Sequence, residues 1–331
     1  MVWPRMTSKV DQSTDDAGEG HRLRVRDPTT DAVIEEVRET PPEEVDAAVA
    51  AAAAAQPAWA DRSIAERKAV IASARELMLD RREDIAATIS AENGKPPAEA
   101  IGADVGPALD TASFLVKRGP GILEEDIDLS ALAAVGDSTV VREPVGVVGL
   151  ITPWNYPFGI PAAEALPALF AGNAVVLKPA DETPKTALAL RDLLHDAGVP
   201  EDVFQVVPGR GKTTGQALSE ATIDHLSFTG SAEVGFMLEE ACEARGVSTC
   251  LELGGSDPAI VLSDADVELT ADGLTWSRFA NAGQSCAAPK RLFPMSSIAD
   301  DLTAAIVERV EALEVGGPDD EHYEFGPLIS E

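Results

Sequence analysis

The apolar positions of this chain change their period near residue 140. Upstream they recur at helical spacing. Val45, Ala48 and Val49 follow Pro41-Pro42, a proline pair suited to a helix start. A longer helix is expected from about residue 64 to 91, stopping at Asn93-Gly94, where glycine can supply a C-cap. Another covers roughly residues 97–116. Downstream, short apolar runs bounded by Gly or Pro appear at 145–151, 174–178, 203–207, 226–229, 251–253 and 259–262. Helical stretches at 161–170, 184–197, 213–220, 232–244 and 267–280 separate them. Strand alternating with helix predicts an α/β fold built on a parallel sheet. Such a sheet takes its ligand beyond the carboxyl ends of its strands. Residues 124–143 break the pattern and read equally as an extruded hairpin that pairs with another subunit or as a surface loop. Residues 1–20, rich in Ser, Asp and Gly, read as a disordered tail.

Composition narrows the partners. At 331 residues the chain can hold two domains with cores of their own. Its net charge is −31, with 57 acidic against 26 basic residues, spread along the whole length. That surface repels nucleic acid and anionic membranes, and suits a heavily hydrated protein in a salt-rich cytoplasm. Cys242, Cys250 and Cys286 make no disulfide framework, and the four histidines show no metal-ligand spacing. Cys242 and Cys250 are expected to be buried, inert thiols. The first residues lack the apolar stretch of a signal peptide, and the alanine run 50–55 is too short to span a bilayer. A reduced, cytoplasmic protein without a metal is expected.

Several short blocks sit at the carboxyl ends of the expected strands. Phe228-Thr229-Gly230-Ser231 joins strand to helix, a turn whose amides and helix dipole suit a phosphate; its glycine spacing is not GxGxxG. Lys178-Pro179-Ala180-Asp181 offers a cation and a carboxylate to ribose hydroxyls, or is a solvated turn. Pro208-Gly209-Arg210-Gly211-Lys212-Thr213 is not a phosphate loop, because Val206 stands where the Walker pattern needs its first glycine. Gly209 can instead let the backbone approach a flat group such as adenine. Asn155, in Pro153-Trp154-Asn155-Tyr156-Pro157, sits in a rigid turn that can present an amide donor. Glu252 lies in the apolar run Leu251–Leu253, where a partly desolvated carboxylate would have a raised pKa and serve as a base. Cys286 ends Gly283-Gln284-Ser285-Cys286. A thiol, an amide and a carboxylate are the groups needed for covalent chemistry on a carbonyl.

In this order and spacing, these blocks resemble the NAD(P)-dependent aldehyde dehydrogenase superfamily from about residue 22 onward, and Gln284-Ser285-Cys286 with Lys290-Arg291 is most similar to its succinate-semialdehyde branch. The resemblance implies a Rossmann-like cofactor domain over residues 21–255 and an incomplete α/β catalytic domain over 256–331. It implies that Cys286 attacks the aldehyde of a small substrate, that Asn155 and the Cys286 N–H hold the oxyanion, and that Glu252 activates water. Lys178 and Asp181 would hold the adenine ribose, Trp154, Gly230 and Ser231 the pyrophosphate, and Gly209 would lie near adenine. The acid at 181 competes with a 2′-phosphate, which favours NAD over NADP. Transfer of the acyl group to coenzyme A is disfavoured by the presence of Glu252. Family members run on for about another third of their length, so the chain is expected to be truncated, with open sheet edges and exposed apolar faces. Two functions follow from that: an aldehyde-oxidising enzyme that forms a homo-oligomer if the fold completes, or a catalytically silent cofactor-binding module, such as half of a split enzyme.

Overall fold

Two strands that no apolar run in the sequence marks come first among the described residues. β1 (Arg22–Arg26) turns Leu23 and Val25 inward and its three arginines outward, and pairs antiparallel with β2 (Val33–Arg38). The computed structural model describes residues 21–126, 139–317 and 323–330, so the expected tail at 1–20 lies outside the described residues. α1 (Pro42–Ala60) starts on its proline, with Glu43 and Glu44 in the first turn. The single helix expected over 64–91 is two, α2 (Ile64–Asp80) and α3 (Arg82–Asn93), broken at Arg81. Ser63 and Glu66 close α2 with a reciprocal capping box. α3 ends on Gly94 at φ 81°, the left-handed cap read from the sequence. A side chain there would also strike Pro327. Gly94→Ala is therefore expected to lose about 1–2 kcal/mol or more in urea unfolding; an unchanged midpoint would show that the turn can relax.

α4 (Pro97–Ala100) runs through a π-helical turn, Ile101–Val105, into α5 (Gly106–Leu123). β3 (Glu124–Asp126) and β4 (Thr139–Val141) then pair antiparallel, which gives the expected hairpin its base; residues 127–138 lie outside the described residues.

The rest alternates as expected: β5 (Val147–Ile151), α6 (Gly159–Phe170), β6 (Ala174–Lys178), α7 (Pro184–Asp196), β7 (Phe204–Val206), α8 (Gln216–Glu220), β8 (His225–Thr229), α9 (Ala232–Glu243) and β9 (Ser248–Glu252). All pairings among β5 to β9 are parallel, in the order β7-β6-β5-β8-β9. Every residue of β5 and β6 is buried, so helices cover both faces, α1 and α6 both packing on these two strands. The chain moves outward from β5 to β7, then returns to lay β8 on the other side of β5. This reversal makes the β5/β8 boundary the topological switch point, the crevice where such sheets take ligands.

Beyond β9, β10 (Asp257–Val261) pairs in parallel with β11 (Pro289–Pro294), with α10 (Val267–Phe279) between them in sequence and α11 (Ala299–Glu311) after. A second, smaller core forms here from Val261, Ala271, Leu302 and Ala305. Ile260, Leu269, Phe293 and Trp276 are exposed, Trp276 at 76%. Ile260 and Phe293 lie on the two-stranded sheet, Leu269 and Trp276 on α10. Among the described residues, no helix is long and apolar enough to cross a membrane.

Candidate active site

Most of the blocks singled out in the sequence lie at or just beyond the carboxyl ends of the parallel strands, on either side of the switch point. β5 ends at Ile151 and delivers the turn 153–157, while β8 ends at Thr229 and delivers Gly230-Ser231 to the start of α9. β6 ends in Lys178, and β9 in Glu252. Asn155 Nδ2 donates to the Gln284 carbonyl at 2.9 Å, which ties the turn after β5 to the loop that carries Cys286. An amide nitrogen has two hydrogens, so one remains for a developing oxyanion. Burial pushes the Tyr156 phenol upward against the pull of its hydrogen bond with Ser285, and the nearby charges of Glu99, Asp104 and Cys286 add to the rise.

Residues 281–283 are wound tightly to present Cys286. Asn281 (φ 53°), Ala282 (φ 54°) and Gly283 (φ 72°) are all left-handed, unusual for the first two. Gln284 closes the turn through Nε2 to the Asn281 carbonyl at 3.0 Å. Lys290 Nζ gathers the carbonyls of Ser285 (3.0 Å), Cys286 (3.1 Å) and Ala288 (3.3 Å). Cys286 itself is a free thiol and exposed. Cys242 is buried as expected; Cys250 is not, because edge strand β9 turns alternate residues outward.

Glu252 departs from the sequence reading in the same way. β9 borders the sheet, so its last carboxylate is exposed instead of desolvated. Gly255, three residues further on, lies against the Cys286 loop: a side chain added there would meet the Cys286 carbonyl at 2.9 Å. A second carboxylate, missed in the sequence, flanks Glu252. Glu164 on α6 accepts from Ser227 Oγ at 2.7 Å and Thr229 Oγ1 at 2.8 Å, and Thr229 is the cross-strand partner of Glu252. Burial pushes the Glu164 carboxyl upward, and the Glu252 charge adds to that.

The donor set at the crevice fits a dinucleotide. Lys178 is buried with Nζ 3.5 Å from Asp181 Oδ1; burial lowers its pKa against the pull of Asp181, Glu182 and Glu39. A lysine and a carboxylate at a strand end can share ribose hydroxyls. Ser231 caps the twelve-residue α9 and is exposed with its N-terminal amides, an anion site by geometry. A substituent on Gly230 would strike the Phe228 ring. Gly209 is buried against Thr214, so its lack of a side chain is already explained inside the fold, next to the π-helical turn Gly211–Gly215. Buried Glu39 accepts from the Arg210 amide at 2.9 Å and pairs with its guanidinium. Burial pushes Glu39 up, but the Thr213 hydroxyl and Arg210 outweigh it and hold the carboxyl below its ordinary range.

Glu92, 1% exposed, holds the helix that follows the Lys178–Asp181 loop. It accepts from the amides of Lys185 and Thr186, both at 2.8 Å, and from Thr186 Oγ1 at 2.7 Å, capping α7 from α3. Burial raises its pKa from 4.5 to about 7 in spite of these bonds. A carboxyl raised in the folded state contributes stability that is present below its unfolded pKa and lost as pH climbs through the folded value. Unfolding free energy should fall across that window by up to about 1.4 kcal/mol per pH unit from this group. Urea titrations of wild type and Glu92→Gln at several pH values check this; equal slopes would remove Glu92 as the cause.

Comparison with known proteins decides the family. The aldehyde dehydrogenase family model matches residues 15–331. The chain belongs to the aldehyde dehydrogenase family. Escherichia coli succinate-semialdehyde dehydrogenase [NADP(+)] GabD is 37% identical over 317 residues, which covers 96% of this chain and 65% of that protein. A Mycolicibacterium smegmatis relative is 39% identical over 289 residues, 87% of this chain but 56% of its own length. The chain thus spans between about half and two thirds of these curated relatives. Among solved structures, an aldehyde dehydrogenase of Brucella melitensis superposes with TM-score 0.88 at 35% identity, covering 96% of this chain and 65% of that one. An NAD+ complex of an aldehyde dehydrogenase from Bacillus cereus gives 0.89 at 32% identity, covering 94% and 63%. The α/β fold of this family is therefore established for the chain.

Proposed function

We propose that this chain oxidises a small aldehyde to a carboxylic acid with a nicotinamide dinucleotide. The observation that carries the reading is that the loop bearing the exposed Cys286 thiol is tied to the half-free Asn155 amide through Gln284 and passes close to Gly255, three residues beyond Glu252.

The Cys286 sulfur adds to the aldehyde carbon, giving a thiohemiacetal. Asn155 Nδ2 and the Cys286 N–H stabilise the oxyanion as it forms. A bound nicotinamide dinucleotide would supply the acceptor for the hydride that the adduct carbon loses, leaving the acyl group on Cys286 as a thioester. Glu252, exposed at the end of β9, takes the proton of the water that releases the acid. Lys178 with Asp181 orients the cofactor through its ribose, and the start of α9 holds its pyrophosphate. Because the E. coli relative is named for succinate semialdehyde, that compound heads the short aldehydes to try. Nicotinamide reduction by the purified chain in concentrated KCl tests the reading. Dinucleotide binding without turnover by any aldehyde would instead assign a cofactor-binding module.

The acids around Lys178 favour NAD over NADP. A 2′-phosphate placed there meets Asp181, while Arg210 is already engaged by Glu39. Asp181→Ala is expected to tighten NADP binding about tenfold and leave NAD within about threefold, read by fluorescence titration of the reduced dinucleotides. A ratio that does not move would place the discrimination elsewhere.

A further inference from the structure

Lysine is scarce in this chain, with eight residues in all, and one of them is sealed inside it. Lys95 follows the Gly94 cap of α3, and its side chain is 1% exposed. Its ammonium donates to Asp104 Oδ2 at 2.8 Å and to the Asn155 carbonyl at 2.7 Å, and lies 4.4 Å from the centre of the Tyr156 ring. Asp104, wholly buried in the π-helical turn, spends its other oxygen on the amides of Phe158 (3.1 Å) and Gly159 (3.0 Å). The pair therefore grips the Asn155 turn on both sides: at the carbonyl of Asn155 itself and at the first amides of α6. A methyl on Gly159 would press on the Asp104 backbone at 3.2 Å, tighter than an ordinary contact.

The same corner reaches the nucleophile's loop. Glu99, one turn on from Lys95, accepts the amide of left-handed Asn281. Asn281 Nδ2 in turn donates to the Asn155 carbonyl at 2.8 Å. That one carbonyl thus receives both Lys95 and Asn281, while the Asn155 side chain is bonded to Gln284. A buried ion pair adds little net stability over apolar residues of similar volume. Stability alone gives no reason to keep this one; its hydrogen bonds all run to the turn that presents the oxyanion donor.

We propose that Lys95 and Asp104 are positioning residues that set the Asn155 amide against Cys286, with Glu99 as the brace on the cysteine side. The inference rests on the aldehyde-oxidising reading for its kinetic consequence, but its structural part does not. Replacing the pair with apolar residues, Lys95→Met with Asp104→Leu, keeps volume and removes the grip. Its kcat is expected to fall about 100-fold, the cost of a displacement of about 1 Å, with aldehyde KM and dinucleotide Kd within about threefold. Glu99→Ala, on a half-buried site, serves if the pair variant fails to fold, and should lower kcat about tenfold with the same unchanged KM and Kd. Either variant retaining wild-type kcat would overturn the proposal, as would a loss of kcat matched by equal losses in KM and cofactor binding.

Amide hydrogen exchange separates this from the functional reading. Residues 153–160 and 281–288 should exchange about tenfold faster in the variants while β5 and β6 stay protected. Should the wild type turn over no aldehyde, the functional reading fails and exchange alone judges the corner: faster exchange confined to the two loops supports it, and unchanged exchange overturns it.

Discussion

Cys286→Ala is expected to lower nicotinamide reduction by at least about 1,000-fold, since removing a covalent nucleophile leaves only binding and the oxyanion site. The substitution is structurally mild. Cys286 is exposed, and the hydrogen bonds of its loop run through the carbonyls of Ser285, Cys286 and Ala288 to Lys290 and through Gln284 to Asn281, all of which alanine preserves. Melting temperature should therefore stay within about 1 °C, as for a surface change away from any packed feature. Cys250 supplies the internal control. It is also exposed, but on β9 of the sheet and with no oxyanion donor assigned to it. Cys250→Ala should keep full activity, and alkylation that silences the wild type should label Cys286. Appreciable turnover in Cys286→Ala, or loss of turnover in Cys250→Ala, would reassign the nucleophile.

The strand bounds that were most sharply legible in the sequence are those of β6, where burial is complete. β6 was read at 174–178 and found at Ala174–Lys178, because a strand covered on both faces is an unbroken apolar run with glycine or proline at its limits. β1 and β11 escaped for the opposite reason. In β1 two buried residues alternate with arginines, and β11 is a largely exposed partner of β10, so neither makes an apolar run. The break at Arg81 was invisible because α2 and α3 keep their apolar spacing across it.

The site divides along the same line. Asn155, Glu252 and Cys286 sit in short blocks that name themselves, and the topology brings their loops together at the β5/β8 reversal. Burial was harder to read. Glu252 was placed in an apolar context by its neighbours in sequence, yet the sheet places it on the border strand, in water. Lys95, Glu99 and Asp104 carried no such block. Their partners lie about 50 to 180 residues away, and only the scarcity of lysine, together with one set next to a Gly cap, marked the position.

The buried pair also governs the second large effect, which is on stability. Asp104→Ala should destabilise the protein by about 3–5 kcal/mol, because it leaves the Lys95 charge sealed in the interior without its counter-ion. It also strips the Phe158 and Gly159 amides of their acceptor, a further cost of about 1–3 kcal/mol for each group left unpaired. At roughly 2–4 °C per kcal/mol for a domain of this size, melting should fall by about 10 °C or more. The double replacement Lys95→Met with Asp104→Leu behaves differently. With both charges gone there is no stranded ion, and a well-packed apolar pair should recover most of what Asp104→Ala loses. The two amides remain unpaired in it, so recovery stops short of the wild type. A thermodynamic cycle through Lys95→Met, Asp104→Leu and the double variant reads the coupling directly. Strong coupling, with the double variant more stable than either single one, is the signature of a charge pair whose members cannot be spared separately. Additive losses would mean that the ammonium and the carboxylate act through their backbone partners alone, and that the 2.8 Å contact between them is incidental to holding the Asn155 turn.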